Sequence, residues 1–566
     1  MTQLQQKRFI PDWLQRMSGN MTLSLLVSLY IVLKFNHHIL TFVMNTNGVG
    51  SISQTLFIVS VFITLLAMIW VVTELPNIGR GGRWWIMTVI IIAAITGHAQ
   101  ETYHIMFDKI MFRNIVETDP AEASELISAG WFFDVAVYGI LPALIISRIP
   151  IRREKFLPTI GRKVAFLTTI IALLLANIFP FYDRYASLLR TQRQIKDMII
   201  PTGFLYSGWK YASTNLLVYH HDFISIGEDA THTALPDGHK RVVVMIVGET
   251  ARAANFSMAG YKKNTNPLLS RRLQEKNDMV FYPQFYACGT STAVSVPCML
   301  SIETEHNFDV DDAAYQENLL DVFARAGFDV TWLDNNSGCK GTCKRVTFVD
   351  MNERLNDPHC TPFECADMVL VDALKEILPG IQKDTLIILH QKGSHGPAYF
   401  ERVPKKYQVF QPVCQSNQLQ ECTETEVINS YDNTILYTDA VIDAIINTLD
   451  ASSMDIIPSV LYASDHGESL GEHNLYLHGI PRAIAPDVQI HIPALLWLPE
   501  RSARAYGVDM QCLRDAAGNH YSHDNIFHTL LDIAGIRTHI YNKSLDILQG
   551  CKNKEDATIA TMKAST

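Results

Sequence analysis

The first half of this chain lacks cysteine: the sequence has ten cysteines, and none of them precedes Cys288. Neither a disulfide framework nor a thiolate metal site can therefore form within that half. The chain also lacks an excess of basic residues, with 47 lysines and arginines against 57 aspartates and glutamates and a formal net charge of −10. No basic stripe with interleaved aromatics occurs in the polar part, so the composition argues against nucleic-acid binding.

Long apolar runs are restricted to the first 180 residues. Most of them approach the ~20 residues that a membrane-spanning helix needs, and the third and fourth are the shortest. The sequence therefore predicts a helical transmembrane domain with five spans over residues 1–180. The five runs are Met21–His37, Ser53–Leu75, Trp84–Gly97, Trp131–Ile146 and Val164–Pro180.

The charges between these runs predict the orientation of the chain. Lysines and arginines collect before the first run, between the second and third, and between the fourth and fifth. Because basic loops face the cytoplasm, the uncharged loop 44–52 and the acidic loop 98–130 are expected outside. An odd number of spans then places everything after Pro180 outside the cytoplasm as well.

Residues 181–235 form a predicted bridge between the spans and a soluble domain over 236–566. Basic and apolar side chains alternate over 181–200, which suits a helix on the membrane surface, and aromatic residues crowd 204–211. A plain solvated linker helix accounts for the same pattern equally well. The sequence leaves both alternatives open.

The cysteines of the soluble domain predict disulfide bonds. Eight of them form close pairs, and the last two remain for each other, as expected in an oxidising compartment. A zinc site built from Cys339, Cys343, Cys360 and Cys365 is the competing hypothesis. The predicted location outside the cytoplasm favours disulfides. The pairs are Cys288 with Cys298, Cys339 with Cys343, Cys360 with Cys365, Cys414 with Cys422, and Cys512 with Cys551.

Four apolar runs in the soluble domain read as strands of a parallel sheet, because they are short, continuous and rich in β-branched residues. Each run is followed by polar residues, and sites in open α/β sheets form at the carboxyl ends of the strands. Amphipathic stretches between them are long enough for crossover helices. The runs are 242–247, 330–333, 386–389 and 459–463, and the amphipathic stretches include 317–326 and 428–449.

A turn rich in hydroxyl groups lies between Cys288 and Cys298. Thr290, Ser291 and Thr292 follow a glycine there, at what could be the start of a helix, where backbone N–H groups suit a phosphate. A serine- and threonine-rich loop with a structural disulfide accounts for the same residues. The stretch alone does not decide between the two hypotheses.

Carboxylate, imidazole and hydroxyl groups at the strand ends suggest a catalytic zinc site. Glu249, Asp465, His466 and Thr292 supply an N/O ligand set of the kind found in catalytic rather than structural zinc sites. A threonine hydroxyl is a weak nucleophile at neutral pH, and a divalent metal lowers the pKa of an oxygen bound to it. A threonine of this turn bound in such a set, as Thr292 is in this hypothesis, suits a metal-activated nucleophile in phosphoryl transfer.

Three further residues are candidates for the same site. His395 and His478 each precede a glycine and suit additional metal ligands or acid/base groups near a leaving oxygen. Lys340 suits a phosphate, although an ordinary solvated lysine explains it equally well.

Seven motifs occur in order along the soluble part of the chain. They are Gly-Glu-Thr-Ala-Arg-Ala at 248–253, Cys-Gly-Thr-Ser-Thr-Ala at 288–293, Tyr-Gln-Glu-Asn at 315–318, Asp-Asn-Asn-Ser at 334–337, His-Gly-Pro-Ala-Tyr-Phe at 395–400, Ser-Asp-His-Gly-Glu-Ser-Leu-Gly-Glu at 464–472 and Tyr-Leu-His-Gly at 476–479. With these motifs the chain resembles a known family, the lipid A phosphoethanolamine transferases, which include the mobile colistin-resistance enzymes. The resemblance covers nearly the whole chain.

The resemblance implies a fold, a site and a reaction. The soluble domain is expected to be an alkaline-phosphatase/sulfatase-like α/β domain with a central, mostly parallel sheet and several disulfides. Thr292 is implied as the nucleophile, with one tightly bound Zn²⁺ and a second entering during turnover as an open alternative. The implied zinc ligands are Glu249, Thr292, Asp465 and His466, and the implied substrate pocket contains Asn336, Lys340, His395 and His478.

The implied donor is phosphatidylethanolamine and the implied acceptor is a phosphate of lipid A, which lowers the negative surface charge and gives polymyxin resistance. The expected protein is a monomer in a bacterial inner membrane with its catalytic domain in the periplasm. Three alternatives of the same fold remain: a transferase acting on core sugars, a phosphoglycerol transferase and a phosphodiesterase. A non-catalytic lipid receptor is disfavoured because all four implied zinc ligands are present.

Overall fold

A computed structural model describes residues 20–47, 51–78, 81–118, 120–149, 156–191, 195–215, 222–235, 238–354, 356–361 and 364–552. The chain divides into two compact units. A helical unit contains Met1–Phe112 and Ile127–Leu216, and an α/β unit contains Arg113–Leu126 and Leu217–Thr566.

In the parts of the first 215 residues that the structure describes, all regular structure is helical. Their α-helices cover Asn20–Phe35, His37–Asn47, Ile52–Glu74, Gly81–Tyr103, Lys109–Glu117, Pro120–Glu125, Ala129–Asp134, Leu141–Arg148, Phe156–Ile178, Tyr182–Thr191, Ile195–Met198 and Thr202–Asn215, with a π-helical stretch at Val135–Ile140.

Among the described residues, four continuous helical stretches are long and apolar enough to cross a membrane. The count becomes five if Met21–Phe35 and His37–Met44, which meet at a bend of 57°, form one span. The predicted number of five spans agrees with the larger count and stays a prediction.

The third apolar run extends further as a helix than its hydropathy predicts. The helix Gly81–Tyr103 has 23 residues, whereas the apolar run ends at Gly97. His98 and Gln100 continue it and are buried inside the helical unit. Helical hydrogen bonding therefore persists through polar residues that a hydropathy pattern excludes.

The predicted bridge packs with the helices of the helical unit. Tyr185, Leu188 and Ile195 are buried in the same apolar cluster as residues of the first three spans. The hydroxyl of Tyr185 lies 3.0 Å from Oγ of Ser60. These contacts use the apolar face of the bridge, and its placement on a membrane surface stays a prediction.

The α/β unit is built on an eight-stranded sheet, which confirms the predicted fold class. The strands, numbered in chain order, are β1 (Lys240–Gly248), β2 (Met279–Tyr286), β3 (Asp329–Asp334), β4 (Thr347–Asp350), β5 (Thr385–His390), β6 (Ile456–Ser464), β7 (His491–Trp497) and β8 (Tyr521–Ser522). Their order across the sheet is β8-β2-β7-β6-β1-β5-β3-β4.

The sheet is mostly parallel, as expected. Only β7 runs antiparallel to its neighbours β2 and β6. The four apolar runs recognised in the sequence are the central strands β1, β3, β5 and β6. All residues of β5 and β6, and all but the first of β1, are buried, because helices cover both faces.

Helices surround this sheet, and two of them match the predicted amphipathic stretches. Leu319–Arg325 begins at a capping box formed by Asn318, and Glu424–Asp450 begins at one formed by Thr423. The other helices of seven residues or more are Pro267–Glu275, Thr292–Met299, Met368–Ile377, Glu500–Tyr506, Met510–Ala516 and Asp524–Ala534.

Five disulfide bonds join the cysteines of the α/β unit. They link Cys288 to Cys298, Cys339 to Cys343, Cys360 to Cys365, Cys414 to Cys422, and Cys512 to Cys551. The competing zinc site is therefore not formed, because each of its four cysteines is bonded to another sulfur. Cys288–Cys298 spans the hydroxyl-rich turn at both ends.

The acidic loop between the second and third basic loops contributes a segment to the α/β unit, which the sequence did not indicate. Arg402 is buried and donates to the carboxylate of Glu125, and also to Oε2 of Glu364 at 2.7 Å. Its Nε donates to the carbonyl of His395 at 3.0 Å. Arg113 pairs with Asp311 at the other end of the segment.

We expect Arg402→Ala to lower the thermal unfolding midpoint of the α/β unit by about 5–10 °C. The change leaves two carboxylates, Glu125 and Glu364, without their shared cation, and breaking a buried pair costs about 3–5 kcal/mol. Intrinsic fluorescence of the full chain in detergent measures the midpoint. Lys405→Ala, at an exposed position, is the control and should change little. An unchanged midpoint in Arg402→Ala would contradict this account of the pair.

Candidate functional site

The carboxyl ends of four neighbouring strands bring the polar residues together. In the sheet register, Gly248 of β1 pairs with Ser464 of β6, and Asp334 of β3 pairs with His390 of β5. Glu249 follows β1 directly and Asp465 follows β6. These side chains therefore meet at the sheet edge that the sequence pattern predicts.

The backbone around Glu249 is closely packed. Thr250 adopts a φ of 57°, which is uncommon for a β-branched residue, and its N–H donates to Oδ1 of Asp465 at 3.1 Å. Gly393 lies so near that a Cβ atom there would stand 2.6 Å from the carbonyl oxygen of Glu249. Only glycine fits this approach, and the packing restricts where the Glu249 carboxylate can lie.

The hydroxyl of Thr292 faces the carboxylate and imidazole of this cluster. Thr292 begins the helix Thr292–Met299, and its Oγ1 lies 3.0 Å from Oε2 of Glu249 and 3.4 Å from Nε2 of His466. The hydroxyl of Thr290 instead donates to the carbonyl of Ile480 at 2.7 Å. Of these two threonines, Thr292 has the geometry of a reacting group.

Three potential metal ligands are clustered beside Thr292. Ligand atoms of Glu249, Asp465 and His466 all lie within 4.8 Å of one another, and all three residues are buried. Oδ2 of Asp465 has no hydrogen-bond partner among the described residues. Nδ1 of His466 lies 2.9 Å from the carbonyl of Gly467, so a proton on Nδ1 leaves Nε2 free to bind a cation.

The electrostatics of the cluster also suit a cation. Burial, and then the neighbouring charge of Glu249, raise the pKa of Asp465 well above its ordinary value. Burial and the proximity of His478 lower the pKa of His466 to about 3, so its imidazole is neutral at pH 7. Adjacent carboxylates with a neutral imidazole and an orphaned carboxylate oxygen fit a divalent metal of the zinc type.

The other candidate residues surround this cluster. The ring of His478 lies 4.4 Å from that of His466 and 5.6 Å from that of His395, measured between centroids. Nζ of Lys340 donates to the carbonyl and hydroxyl oxygens of Ser337, at 2.9 and 2.8 Å. The structure thus places both histidines beside the cluster of potential metal ligands, and Lys340 on the loop that follows β3.

The side-chain amide of Asn336, a predicted substrate-binding group, is hydrogen-bonded within the protein. Its Nδ2 donates to Oε2 of Glu249 at 2.7 Å and to the carbonyl of Gln391 at 2.9 Å. The amide donors are therefore directed at a predicted metal ligand and at the backbone.

Two contributors to the site were missed by sequence reasoning. Glu468 is fully buried, and its Oε2 lies 3.4 Å from Nδ1 of His478. Glu117, from the acidic loop, interacts electrostatically with Lys340, and burial raises its pKa. Glu468 was visible as a member of its motif, whereas no local pattern signals an electrostatic interaction between residues more than 200 positions apart.

Two family models match the chain. Residues 241–536 match the sulfatase family, and residues 64–216 match the family described as phosphoethanolamine transferase EptA/EptB. The two matches cover the α/β sheet and most of the helical unit, respectively.

Two relatives from Escherichia coli align with most of the chain. The phosphoethanolamine transferase EptA of Escherichia coli K12 is 37% identical over 533 residues, which cover 93% of this chain and 96% of that protein. The phosphatidylethanolamine transferase Mcr-1 of Escherichia coli is 34% identical over 82% of this chain and 88% of its own.

A solved structure has the same overall fold. The integral membrane protein lipooligosaccharide phosphoethanolamine transferase A (EptA) from Neisseria meningitidis superposes with a TM-score of 0.89 at 34% identity, covering 94% of this chain and 99% of its own. The similarity extends through both units, because it covers 94% of this chain. With the Escherichia coli relatives, it shows that this chain is an integral membrane protein belonging to the EptA family of phosphoethanolamine transferases.

Proposed function

We propose that this chain transfers phosphoethanolamine from phosphatidylethanolamine to a phosphate of lipid A, with Thr292 as the covalent carrier. The observation that carries the proposal is the position of the Thr292 hydroxyl, 3.0 Å from Oε2 of Glu249 inside a buried cluster of metal ligands. The relatives named for phosphoethanolamine or phosphatidylethanolamine transfer support the choice of donor.

The residues proposed to hold one zinc ion are Glu249, Thr292, Asp465 and His466. A zinc ion bound by them supplies a positive charge that lowers the pKa of a ligand oxygen and polarises phosphoryl oxygens. Glu249 also accepts the hydrogen bond of the Thr292 hydroxyl, which orients the oxygen lone pairs toward an incoming phosphorus.

In the first step, Oγ1 of Thr292 attacks the phosphorus of phosphatidylethanolamine. The new bond joins Oγ1 to phosphorus, and the bond between phosphorus and the glycerol oxygen breaks. Thr292 loses its proton, and the departing diacylglycerol oxygen gains one. His395 and His478 lie beside the cluster and are proposed to carry these protons.

In the second step, a phosphate oxygen of lipid A attacks the same phosphorus. The bond from phosphorus to Oγ1 breaks, and Oγ1 takes up the proton that the attacking phosphate hydroxyl gives up. Lys340 is proposed to attract the anionic phosphate groups as a point charge. Placing an ethanolammonium group on the acceptor lowers its negative charge, which would weaken binding of cationic peptides such as polymyxin.

The charges of the loops support the proposed orientation, and the family to which the chain belongs supports the proposed membrane. The chain is proposed to lie in a bacterial inner membrane as a monomer, with five spans over residues 1–180, a bridge over 181–235 and a periplasmic catalytic domain over 236–566. The disulfides of the α/β unit suit an oxidising compartment. A membrane-anchored site meets both lipid substrates at the bilayer surface.

Detection of a phosphoethanolamine adduct on Thr292 tests the proposal directly. The full chain in detergent is incubated with phosphatidylethanolamine without acceptor, digested, and examined by mass spectrometry. We expect the peptide containing Thr292 to gain one phosphoethanolamine group, and the same peptide from Thr292→Ala to gain none. An adduct on another residue would overturn the assignment of the nucleophile.

Defined acceptors then distinguish the proposed enzyme from a transferase acting on core sugars and from a phosphodiesterase. Lipid A, a core oligosaccharide and water are offered to the adduct, and the released product is identified. Release onto lipid A supports the proposed acceptor. Release onto the core sugar, or hydrolysis alone, would assign the chain to another transferase or to a phosphodiesterase.

A further inference from the structure

Buried polar side chains connect the interior of the sheet with the candidate metal site. His390 ends strand β5, Asp334 ends the neighbouring strand β3, and neither side chain is more than 2% exposed. Asn336 follows Asp334 on the next loop and reaches Glu249. None of these contacts is used by the reaction steps above.

Asp334 determines which nitrogen of His390 carries the proton. Oδ1 of Asp334 lies 2.7 Å from Nδ1 of His390 and accepts the indole N–H of Trp332 at 2.8 Å. Oδ2 accepts the backbone N–H of Gly338 at 2.9 Å. A carboxylate surrounded by donors acts only as an acceptor, so Nδ1 of His390 carries a proton, and in the neutral imidazole Nε2 then presents a lone pair.

That lone pair in turn selects the orientation of the Asn336 amide. Nδ2 of Asn336 lies 3.2 Å from Nε2 of His390, 2.7 Å from Oε2 of Glu249 and 2.9 Å from the carbonyl of Gln391. All three neighbours are acceptors, so a rotated amide would place its oxygen against three acceptors. Oδ1 accepts the N–H of Ser337 at 2.8 Å, so both ends of the amide are held.

The hydrogen bond from Asn336 reaches the carboxylate oxygen of Glu249 that also faces Thr292. Oε2 of Glu249 accepts from Asn336 and from the hydroxyl of Thr292. The other oxygen, Oε1, accepts the hydroxyl of Thr250. A rotated Asn336 would release one of these restraints and allow the carboxylate to turn about its own axis.

We propose that Asp334 and His390 are positioning residues that act through Asn336 to hold the Glu249 carboxylate in the orientation required for metal binding. Asn336 then serves to orient a ligand rather than to bind substrate. Groups that orient metal ligands in this way typically change metal affinity 10–100-fold when they are removed. The inference rests on the proposed function only for its effect on transfer, because metal affinity is measured without lipid.

The test compares zinc affinity in three variants of the full chain in detergent. His390→Leu removes the acceptor for Asn336, Asp334→Asn removes the all-acceptor carboxylate, and His390→Gln keeps an oxygen acceptor close to the position of Nε2. A chromophoric chelator competes for zinc at pH 7. Subtracting the zinc bound by Glu249→Gln separates zinc binding at this site from zinc bound elsewhere on the chain.

Asp384→Asn is the matched control. Asp384 is a buried carboxylate directly before β5, at the opposite end of that strand, and it pairs with Arg241 at 3.2 Å and lies 3.6 Å from His232. Its replacement disturbs a similar buried network without contact to the metal cluster. We expect it to lower the unfolding midpoint and leave zinc affinity unchanged.

We expect His390→Leu and Asp334→Asn to bind zinc 10–100-fold more weakly than the parent chain, and His390→Gln to recover most of the affinity. Transfer should fall in the same order, and excess zinc should restore part of it. Zinc affinity within twofold of the parent in Asp334→Asn, whose side chain keeps its shape, would overturn the inference. If these variants bind zinc more weakly but the parent chain itself shows no transfer, the proposed function is rejected and the inference stands.

Discussion

Replacing Thr292 with alanine is expected to abolish phosphoethanolamine transfer, reducing it by at least about a thousandfold, because it removes the hydroxyl that is proposed to form the covalent intermediate. The fold should persist, since the change removes one hydroxyl and one methyl group from the first residue of a helix and alanine favours helices. Mass spectrometry of lipid A from cells that express the variant measures the loss.

Two matched variants separate the hydroxyl from its surroundings. Thr292→Ser keeps the oxygen and should retain measurable transfer. Thr290→Val removes the neighbouring hydroxyl, which bonds the carbonyl of Ile480 and not the metal cluster, and should leave transfer close to that of the parent. Persistent modification of lipid A by Thr292→Ala, at a normal level of membrane-inserted protein, would rule out Thr292 as the nucleophile.

Removing the metal is expected to stop turnover as completely as removing the nucleophile. Treatment with a chelator should end the conversion of a fluorescent phosphatidylethanolamine, and added zinc should restore it. The physical reason is that Glu249 and Asp465 are adjacent buried carboxylates, and a divalent cation both compensates their charge and activates an oxygen ligand. Unchanged turnover by metal-free protein would exclude a metal-activated threonine.

A substitution in the cluster should reproduce the effect of the chelator. Asp465→Asn preserves the shape of the side chain and removes its charge, so we expect weak zinc binding and at least about a hundredfold less transfer. Asp372→Asn is the control, because Asp372 belongs to a second carboxylate–histidine group with Asp357 and His359 that is only partly buried. Equal loss of activity in both variants would argue that general charge, rather than the metal site, is responsible.

The central strands were predictable because burial on both faces leaves a direct mark on the sequence. The run from Val242 to Val247 is apolar throughout, and the structure buries every residue of it. The antiparallel strand β7 and its partner β2 were not identified. Their position depends on which edge of the sheet they join, and that is decided by packing between segments roughly 200 residues apart.

The site was predictable in composition more than in arrangement. Strand-end positions placed Glu249 and Asp465 at one edge, but spacing did not separate Thr290 from Thr292, and the family resemblance supplied that choice. The structure adds a physical reason, because the hydroxyl of Thr290 is committed to the carbonyl of Ile480. No sequence pattern indicated the ion pair between Arg402 and Glu125, since the two residues are 277 positions apart.

The sequence by itself determined the features that local chemistry imposes: apolar runs long enough for spans, buried parallel strands, close cysteine pairs and an N/O ligand set at strand ends. Tertiary structure alone decided which side chains hold the ligands in place. Asp334, His390 and Asn336 act on Glu249 through hydrogen bonds whose partners come from three different strands and loops. Such contacts depend on direction and distance in the folded chain, and neither leaves a periodic trace in the sequence.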